Sequence, residues 1–356
     1  MKDLEFPIFK TKIEGKNEKF SLEDPVERRK YFEFKAGPEI EKIRGWLETN
    51  TFVAILLGKK NSGKGTYSKL FSEIVGPERI AHVSVGDIVR EAHKDFEDSA
   101  KKKELLDFMK RRYRGFISID KAIDALTGRD TSSLLPSEFI LALVEKEIDK
   151  IGRKAIFIDG FPRNLDQISY SLYFRSLIGY RDDPDLFVFI DLPESVIHER
   201  MRYRVVCPVC HTPRNLKLLR TKEVGYDSES KNFYLVCDNF SCKQARMVSK
   251  EGDELGIEAI RNRIEVDEEV MKTLRRLEGV PKILLRNSVP VDKAADFVDD
   301  YEITPAYRYE LESSGKVRVI EEPWTANDDR GVLSYSLLPQ AVTVSLIKQI
   351  SLALGL

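Results

Sequence analysis

Gly58-Lys59-Lys60-Asn61-Ser62-Gly63-Lys64-Gly65-Thr66 sets three glycines and three lysines directly after the apolar run Phe52–Leu57, and a segment able to form a helix follows. An unbroken apolar run of this kind reads as a strand buried on both faces of a parallel sheet. A loop joining such a strand to a helix offers successive backbone N–H groups and a helix N-terminus, which together make a concave anion site. Lys64 adds a mobile positive charge able to reach the outer phosphates of a nucleotide. A glycine-rich turn can arise by chance, but strand, loop and helix come here in the order a phosphate-binding loop requires.

Asp159 ends a second apolar run, Ala155–Asp159. A carboxylate at such a place needs a cation or hydrogen-bond donors, and beside a phosphate-binding loop the usual partner is Mg²⁺, often through water. The bland alternative is an aspartate capping a turn. Arginines lie near further strand ends and near the hinges of a cysteine-bearing segment: Arg90, Arg163, Arg200, Arg204 and Arg263. Phosphoryl transfer asks a protein for positioning and charge neutralisation more than for covalent chemistry. The bidentate fork of arginine suits that task better than lysine does. Taken singly, each arginine reads as a surface ion-pair former. Arg200 and Arg204 are spaced i and i+4, on one helix face.

All four cysteines fall in one stretch, Cys207-Pro-Val-Cys210 and Cys237 to Cys242. Two such knuckles can close a tetrahedral Zn²⁺ site of structural type. The interval between the pairs is longer than in common zinc patterns and the second pair is more widely spaced; both depart from the usual spacing, and the longer interval suits a zinc site only if it forms a hairpin. His211 or Asp238 could replace one ligand, and buried free thiols are the alternative to a metal. Clustered cysteines suit a reducing, cytoplasmic compartment better than a disulfide framework.

The elements that must position these groups follow from the remaining pattern. The 356 residues exceed one ordinary core, and 58 basic against 59 acidic side chains leave a net charge near zero. Global charge therefore does not point to nucleic acid. The first residues lack the apolar stretch of a signal peptide. The apolar tail Leu333–Leu356 is interrupted by Pro339, Gln340, Lys348 and Gln349, so no membrane span is expected. Further strands are read at Ile80–Val85, Leu186–Leu192 and Lys282–Arg286. Helices are read at Glu39–Thr49, beyond a break at Gly37-Pro38, from Gly86, within Asp95–Gly115, and at Glu138–Lys150, Pro193–Tyr203, Ile257–Leu277 and Val291–Asp300. Strand-like pieces at Leu216–Leu219 and Phe233–Val236 mark the cysteine segment as a small β-rich lobe. Alternation of strands and helices predicts an α/β fold with a doubly wound, five-stranded parallel sheet flanked by helices and binding ligands at the carboxyl ends of its strands.

The motifs now assembled resemble those of the adenylate kinase family of nucleoside monophosphate kinases. The resemblance rests on Gly58–Thr66, Ser84–Arg90 (S-V-G-D-I-V-R), Leu135–Val144, Asp159–Gln167 (D-G-F-P-R-N-L-D-Q), Asp191–Cys210 and Arg261–Ile264, in the family's order, across about residues 50–303. It implies transfer of the γ-phosphoryl group of Mg-ATP to a nucleoside monophosphate. Gly58, Asn61, Ser62, Gly63, Lys64, Gly65 and Thr66, with Arg200 and Arg204, would hold ATP. Val85, Arg90, Gly160, Phe161, Pro162, Arg163, Gln167 and Arg263 would hold the monophosphate. Lys64, Asp159, Arg163, Arg204 and Arg263 would carry the chemistry, with Asp87 and Asp159 binding Mg²⁺ through water. Residues 88–136 would be an inserted helical acceptor lobe and 205–253 a zinc lid closing over ATP, within a core spanning 49–304. Residues 1–48 and 305–356 would be extensions that cover the core or make an oligomer contact.

Several positions depart from the family pattern. Lys60-Asn61 replaces a Pro-Gly pair in the loop, and Val85 stands where adenylate kinases carry threonine, which opens CMP, UMP or dUMP as acceptors beside AMP. The lid ends in Lys250-Glu-Gly-Asp253, without the family's arginine, whose role could pass to Arg246. A reading of another class is a P-loop ATPase or inactive kinase-like protein that binds nucleic acid or a partner through the basic run 101–114. The interleaved Phe108, Tyr113 and Phe116 could then stack on single strands, although an ordinary helix with an aromatic inner face has the same pattern. Nucleotides are the expected partners, and neither nucleic acid nor membrane is.

Overall fold

The apolar runs form parallel strands whose successive residues are buried because helices cover both faces. The computed structural model describes residues 5–16, 18–128, 135–180, 182–250 and 252–356. Parts of the expected acceptor lobe (129–134), of the lobe's closing stretch (Glu251) and of the N-terminal extension (1–4 and 17) lie outside them.

Along the chain, α1 (Pro25–Trp46) precedes β1 (Val53–Gly58), and α2 (Lys64–Val75) leads to β2 (Ile80–Ser84). Helices α3 (Val85–Asp95), α4 (Ser99–Arg112), α5 (Ile119–Leu126) and α6 (Ser137–Ile151) stand before β3 (Ala155–Asp159). Then come α7 (Ile168–Leu177), β4 (Asp185–Asp191) and α8 (Glu194–Arg202). The cysteine lobe contains β5 (Arg204–Val206), β6 (Pro213–Asn215), β7 (Val224–Asp227), β8 (Asn232–Leu235) and β9 (Val248–Ser249). Helix α9 (Arg261–Arg276) returns the chain to β10 (Lys282–Arg286), followed by β11 (Ser288–Pro290) and α10 (Val291–Phe297). The C-terminal stretch holds β12 (Pro305–Leu311), β13 (Val317–Pro323), β14 (Thr325–Asn327), β15 (Leu333–Ser336) and α11 (Pro339–Ala353).

The main sheet has the order β10-β4-β1-β3-β2, all parallel. Its register sets Leu56 and Ser84 opposite Asp159, and Gly58 opposite Ile190. The ends of β1, β2 and β3 therefore share one edge. Alternate residues divide between the two faces. Ala54, Leu56 and Phe157 join the cluster under α1, α2 and α11, whereas Val53, Ile156 and Ile158 pack with α6. Phe52, Phe71 and Phe157 meet edge to face, with centroids 5.2–6.4 Å apart.

Several elements differ from the sequence reading. Helix α1 reaches back to Pro25, where Asp24 accepts from the Val26 and Glu27 amides, and the Gly37-Pro38 break survives as a kink at Ala36 (φ −148°, ψ 24°). Pro38 lacks an N–H and disfavours helical geometry before it, yet α1 resumes because its second half is buried through Ile40 and Ile43. Leu216–Leu219 is a turn closed by Asn215 and Leu219 rather than a strand. The basic run forms α4, whose Leu105 and Met109, with Tyr113 just beyond it, face α6, while Phe116 is exposed.

The apolar tail packs inside the protein. α11 lies against α1, α2 and β10, with Val344, Leu346, Ile347 and Ile350 fully buried. Among the described residues no helix is long and apolar enough to cross a membrane. The N-terminal residues are fastened too. Buried Lys35 donates to Asp299 at 2.6 Å and to the Thr11 carbonyl at 3.0 Å, and Thr11 and Tyr31 donate to Glu302. Because Ile347 belongs to the main core, Ile347→Ala is expected to lower unfolding stability by about 2–5 kcal/mol, seen as a lower urea midpoint. A midpoint equal to the parent's would show α11 to be energetically separate from the sheet.

Candidate active site

The loop between β1 and α2 turns through two left-handed residues, Asn61 (φ 66°) and Gly63 (φ 97°). Asparagine is among the few side chains that tolerate this region, so Lys60-Asn61 preserves the turn. Gly58 is required by space, since a Cβ there would sit 2.6 Å from Ser62 Oγ. Gly63, the N-cap of α2, makes no side-chain cap among the described residues, so the first N–H groups of that helix are available to an anion. The Asn61 side-chain amide nitrogen and Ser62 Oγ are buried without a hydrogen-bond partner among the described residues. Such groups call for a ligand or water.

Lys64 donates to the carbonyls of Gly58 (2.9 Å) and Lys59 (3.1 Å), and its Nζ is 3.9 Å from Asp159 Oδ1. Burial, helped by the charges of Arg263 and Arg163, holds this ammonium below the ordinary lysine range, against the pull of Asp159 and Asp267. Arg163 Nε donates to the Gly160 carbonyl at 2.9 Å. Arg263 donates to the Arg163 carbonyl at 3.0 Å and pairs with Asp267 at 2.7 Å. Burial and the neighbouring Arg263 press Arg163 downward as well. Arg90 and Arg163 flank Gly86, where a Cβ would stand 3.0 Å from one guanidinium and 3.5 Å from the other. Arg90 pairs with Asp87, and the Asp87 amide donates to Ser84 Oγ, the N-cap of α3. Lys64, Asp159, Arg90, Arg163 and Arg263 thus gather at the strand edge.

Other sequence-selected residues take different positions. Arg204 holds Asp253 with both arms of its fork, at 2.5 and 2.7 Å, tying the two ends of the cysteine lobe together. Arg200 lies beside the hydroxyl of Tyr67, which in turn underlies Gly63. Arg246 pairs with Asp227 and stacks on Tyr234. Gln167 is buried, accepting from the Arg163 amide at 2.8 Å and donating to Ser137 at 3.2 Å. Val85 and Phe161 are buried, with Val85 Cβ 3.7 Å from the Cβ position of Gly160, and Phe161–Pro162 is a cis peptide.

Two site residues escaped the sequence reading. Asp267 accepts from the Lys60 amide at 2.9 Å while holding Arg263, and its i+4 spacing from Arg263 was the available signal. His82 meets Ser68 at 2.8 Å beside the loop helix, and burial lowers its pKa.

The four cysteine sulfurs lie within 4.8 Å of one another, with Cys210 and Cys237 3.6 Å apart. Tetrahedral Zn–S bonds of about 2.3 Å imply S···S separations near 3.8 Å, so the donor set fits zinc in both chemistry and spacing. The β7–β8 hairpin takes up the long interval, and a 3₁₀ turn over Phe240–Cys242 takes up the wider second pair. Asp238 accepts from the Lys222 amide, outside the sulfur cluster.

A glycine loop between strand and helix, a lysine folded into it and three arginines at the adjoining strand ends define a P-loop phosphotransferase with a phosphate group as acceptor. The adenylate kinase of Clostridium novyi is 30% identical to the chain over 213 residues, 60% of this chain and 79% of that protein. Those of Kosmotoga olearia (32% over 170 residues, 47% of this chain and 66% of the relative) and Thermotoga petrophila (29% over 213 residues, 60% and 78%) are similar to it as well. No family model matches the chain. The chain belongs to the adenylate kinase family.

The cation cluster has a pH consequence. A lysine that holds its proton less firmly when folded makes stability rise with pH between its lowered pKa and the ordinary value near 10.4. In ¹³C-dimethyl-lysine NMR, Lys64 is expected to titrate below the other lysines, and Asp267→Asn is expected to lower it further by removing a carboxylate. Titration of Lys64 with the surface lysines would contradict the crevice electrostatics.

Proposed function

We propose that the chain transfers the γ-phosphoryl group of Mg-ATP to a nucleoside monophosphate, with AMP the first candidate. The observation that carries this reading is the convergence of Lys64, Arg90, Arg163 and Arg263 on one strand edge beside an uncapped helix N-terminus. Four cations facing one crevice suit two phosphate chains meeting end to end, and they neutralise charge that develops on the transferring oxygens. The α2 N-terminus with Gly63, Lys64, Gly65 and Thr66 holds the donor phosphates, and the unpartnered Asn61 and Ser62 groups join them. Arg90 and Arg163 grip the acceptor phosphate. Arg263, held by Asp267, bridges the two.

Asp159 and Asp87, on adjoining strand and helix ends, are the residues that would hold Mg²⁺ through water, and the ion would supply neutralising charge to the reaction. The sulfur cluster would hold structural Zn²⁺, making 205–253 a stapled lid on a core spanning 49–304, with 88–136 the acceptor lobe. Closure of both lobes excludes water, which would otherwise take the phosphoryl group. Four clustered cysteines suit a reducing compartment such as the cytoplasm better than a disulfide framework does. Gln167 reaches an acceptor base only by exchanging its Ser137 bond, and buried Val85 brings no hydroxyl. That favours a second reading in which CMP or UMP is taken in place of AMP.

A coupled assay with AMP, CMP, UMP and dUMP is expected to show turnover with at least one of them, and Lys64→Met to reduce it by about 10²–10³-fold. No turnover with any acceptor would sink the kinase reading. Metal analysis is expected to find about one zinc per chain, whereas protein without zinc and with four freely titratable thiols would remove the lid's staple.

A further inference from the structure

The phosphate loop contains a second lysine that the transfer site does not use. Lys59 follows Gly58, yet its side chain is completely buried. Its Nζ contacts the Asp329 carboxylate, with Glu268 at 3.2 Å and Glu194 at 3.6 Å. These carboxylates come from the turn between β14 and β15, from α9 and from the first residue of α8. Burial alone would lower the lysine's pKa, but the three acids, Asp329 foremost, hold it above the usual value. Asp329 has a second task, because its Oδ1 accepts from the Glu194 amide at 2.8 Å and so caps α8. One residue further on, Ser195 Oγ donates to the Asn327 carbonyl at 2.6 Å.

Two anchors therefore flank the entry to the phosphate loop: Asp329 on the Lys59 side chain and Asp267 on the Lys60 amide. Through its cap, the first anchor also sets the helix that carries Arg200. We propose that Asp329 of the C-terminal extension is a positioning residue for nucleoside triphosphate, fixing the phosphate loop through Lys59 and the arginine-bearing helix α8 through its cap. The proposal rests on the phosphotransfer reading above. A ligand-binding loop held in its bound shape beforehand loses less freedom when the ligand arrives.

The test is ATP affinity, measured by calorimetry on the full chain without turnover, alongside KM for the monophosphate. Asp329→Asn keeps the oxygen that caps α8 but removes the charge facing Lys59. It is expected to weaken ATP about tenfold while leaving the monophosphate KM unchanged, and Asp329→Glu is expected to recover most of the loss. A purely structural role would lower melting temperature without this split. Equal ATP affinity in a folded Asp329→Asn protein, or equal weakening of both substrates, would overturn the proposal. Should that variant fail to fold, hydrogen exchange on the unaltered protein decides: ATP is expected to protect amides of 327–332 together with those of 58–66, and an unaffected turn refutes the coupling. Wild-type protein that binds ATP but phosphorylates no acceptor would end the kinase reading alone, leaving the Asp329 effect on ATP to be judged by the same numbers.

Discussion

Crowding Lys64, Arg163 and Arg263 at one strand edge is electrostatically unfavourable, and much of the surrounding structure offsets it. Burial and the neighbouring cations depress Lys64 and Arg163, so these two hold their charge less firmly than they would in water. Asp159 approaches from β3, Asp267 from α9, and carbonyls of the loop itself accept from Lys64. The arrangement keeps the cations in place while leaving the α2 N-terminus open. A polyanionic ligand would relieve the repulsion, which is the electrostatic preorganisation that phosphoryl transfer exploits.

That offset depends on the frame around the sheet. The parallel register brings Asp159 opposite Leu56 and Ser84, so β1, β2 and β3 deliver their ends together. α9 then contributes both Arg263 and its carboxylate from one helical face. Residues beyond β10 belong to the same frame. The β12–β13 hairpin lies along the cysteine lobe, with the Tyr307 amide donating to Lys217 and the Tyr309 hydroxyl to Leu216, while Phe233 and Tyr309 pack ring against ring. The lobe is thus fastened from outside as well as closed at its base by Arg204 and Asp253.

Much of this was legible in the sequence. The five strands, the loop and its tolerance of Asn61, and the cysteine cluster all depend on local patterns. Apolar runs, positive-φ residues and knuckle spacing carry their physical consequence within a few positions. Direction of a side chain and partners far along the chain do not. Nothing in the local sequence shows that Lys59 reaches an aspartate 270 residues away. Gln167 looked like a ligand contact, and the structure engages its amide with Arg163 and Ser137. The tail 333–356 is apolar enough to cover the core or to make an oligomer contact, and the place of α11 against α1, α2 and β10 is a matter of tertiary packing.

The contact between α1 and α11 has a kinetic side. It joins segments from opposite ends of the described chain, and together they cover one face of the central sheet. Closing so long a loop adds only logarithmically to the entropic cost, yet contacts of high sequence separation slow folding. Until α11 docks, Ala54, Leu56 and Phe157 stand beneath an incomplete cover. The strand that feeds the phosphate loop thus owes part of its cover to the last helix of the described chain.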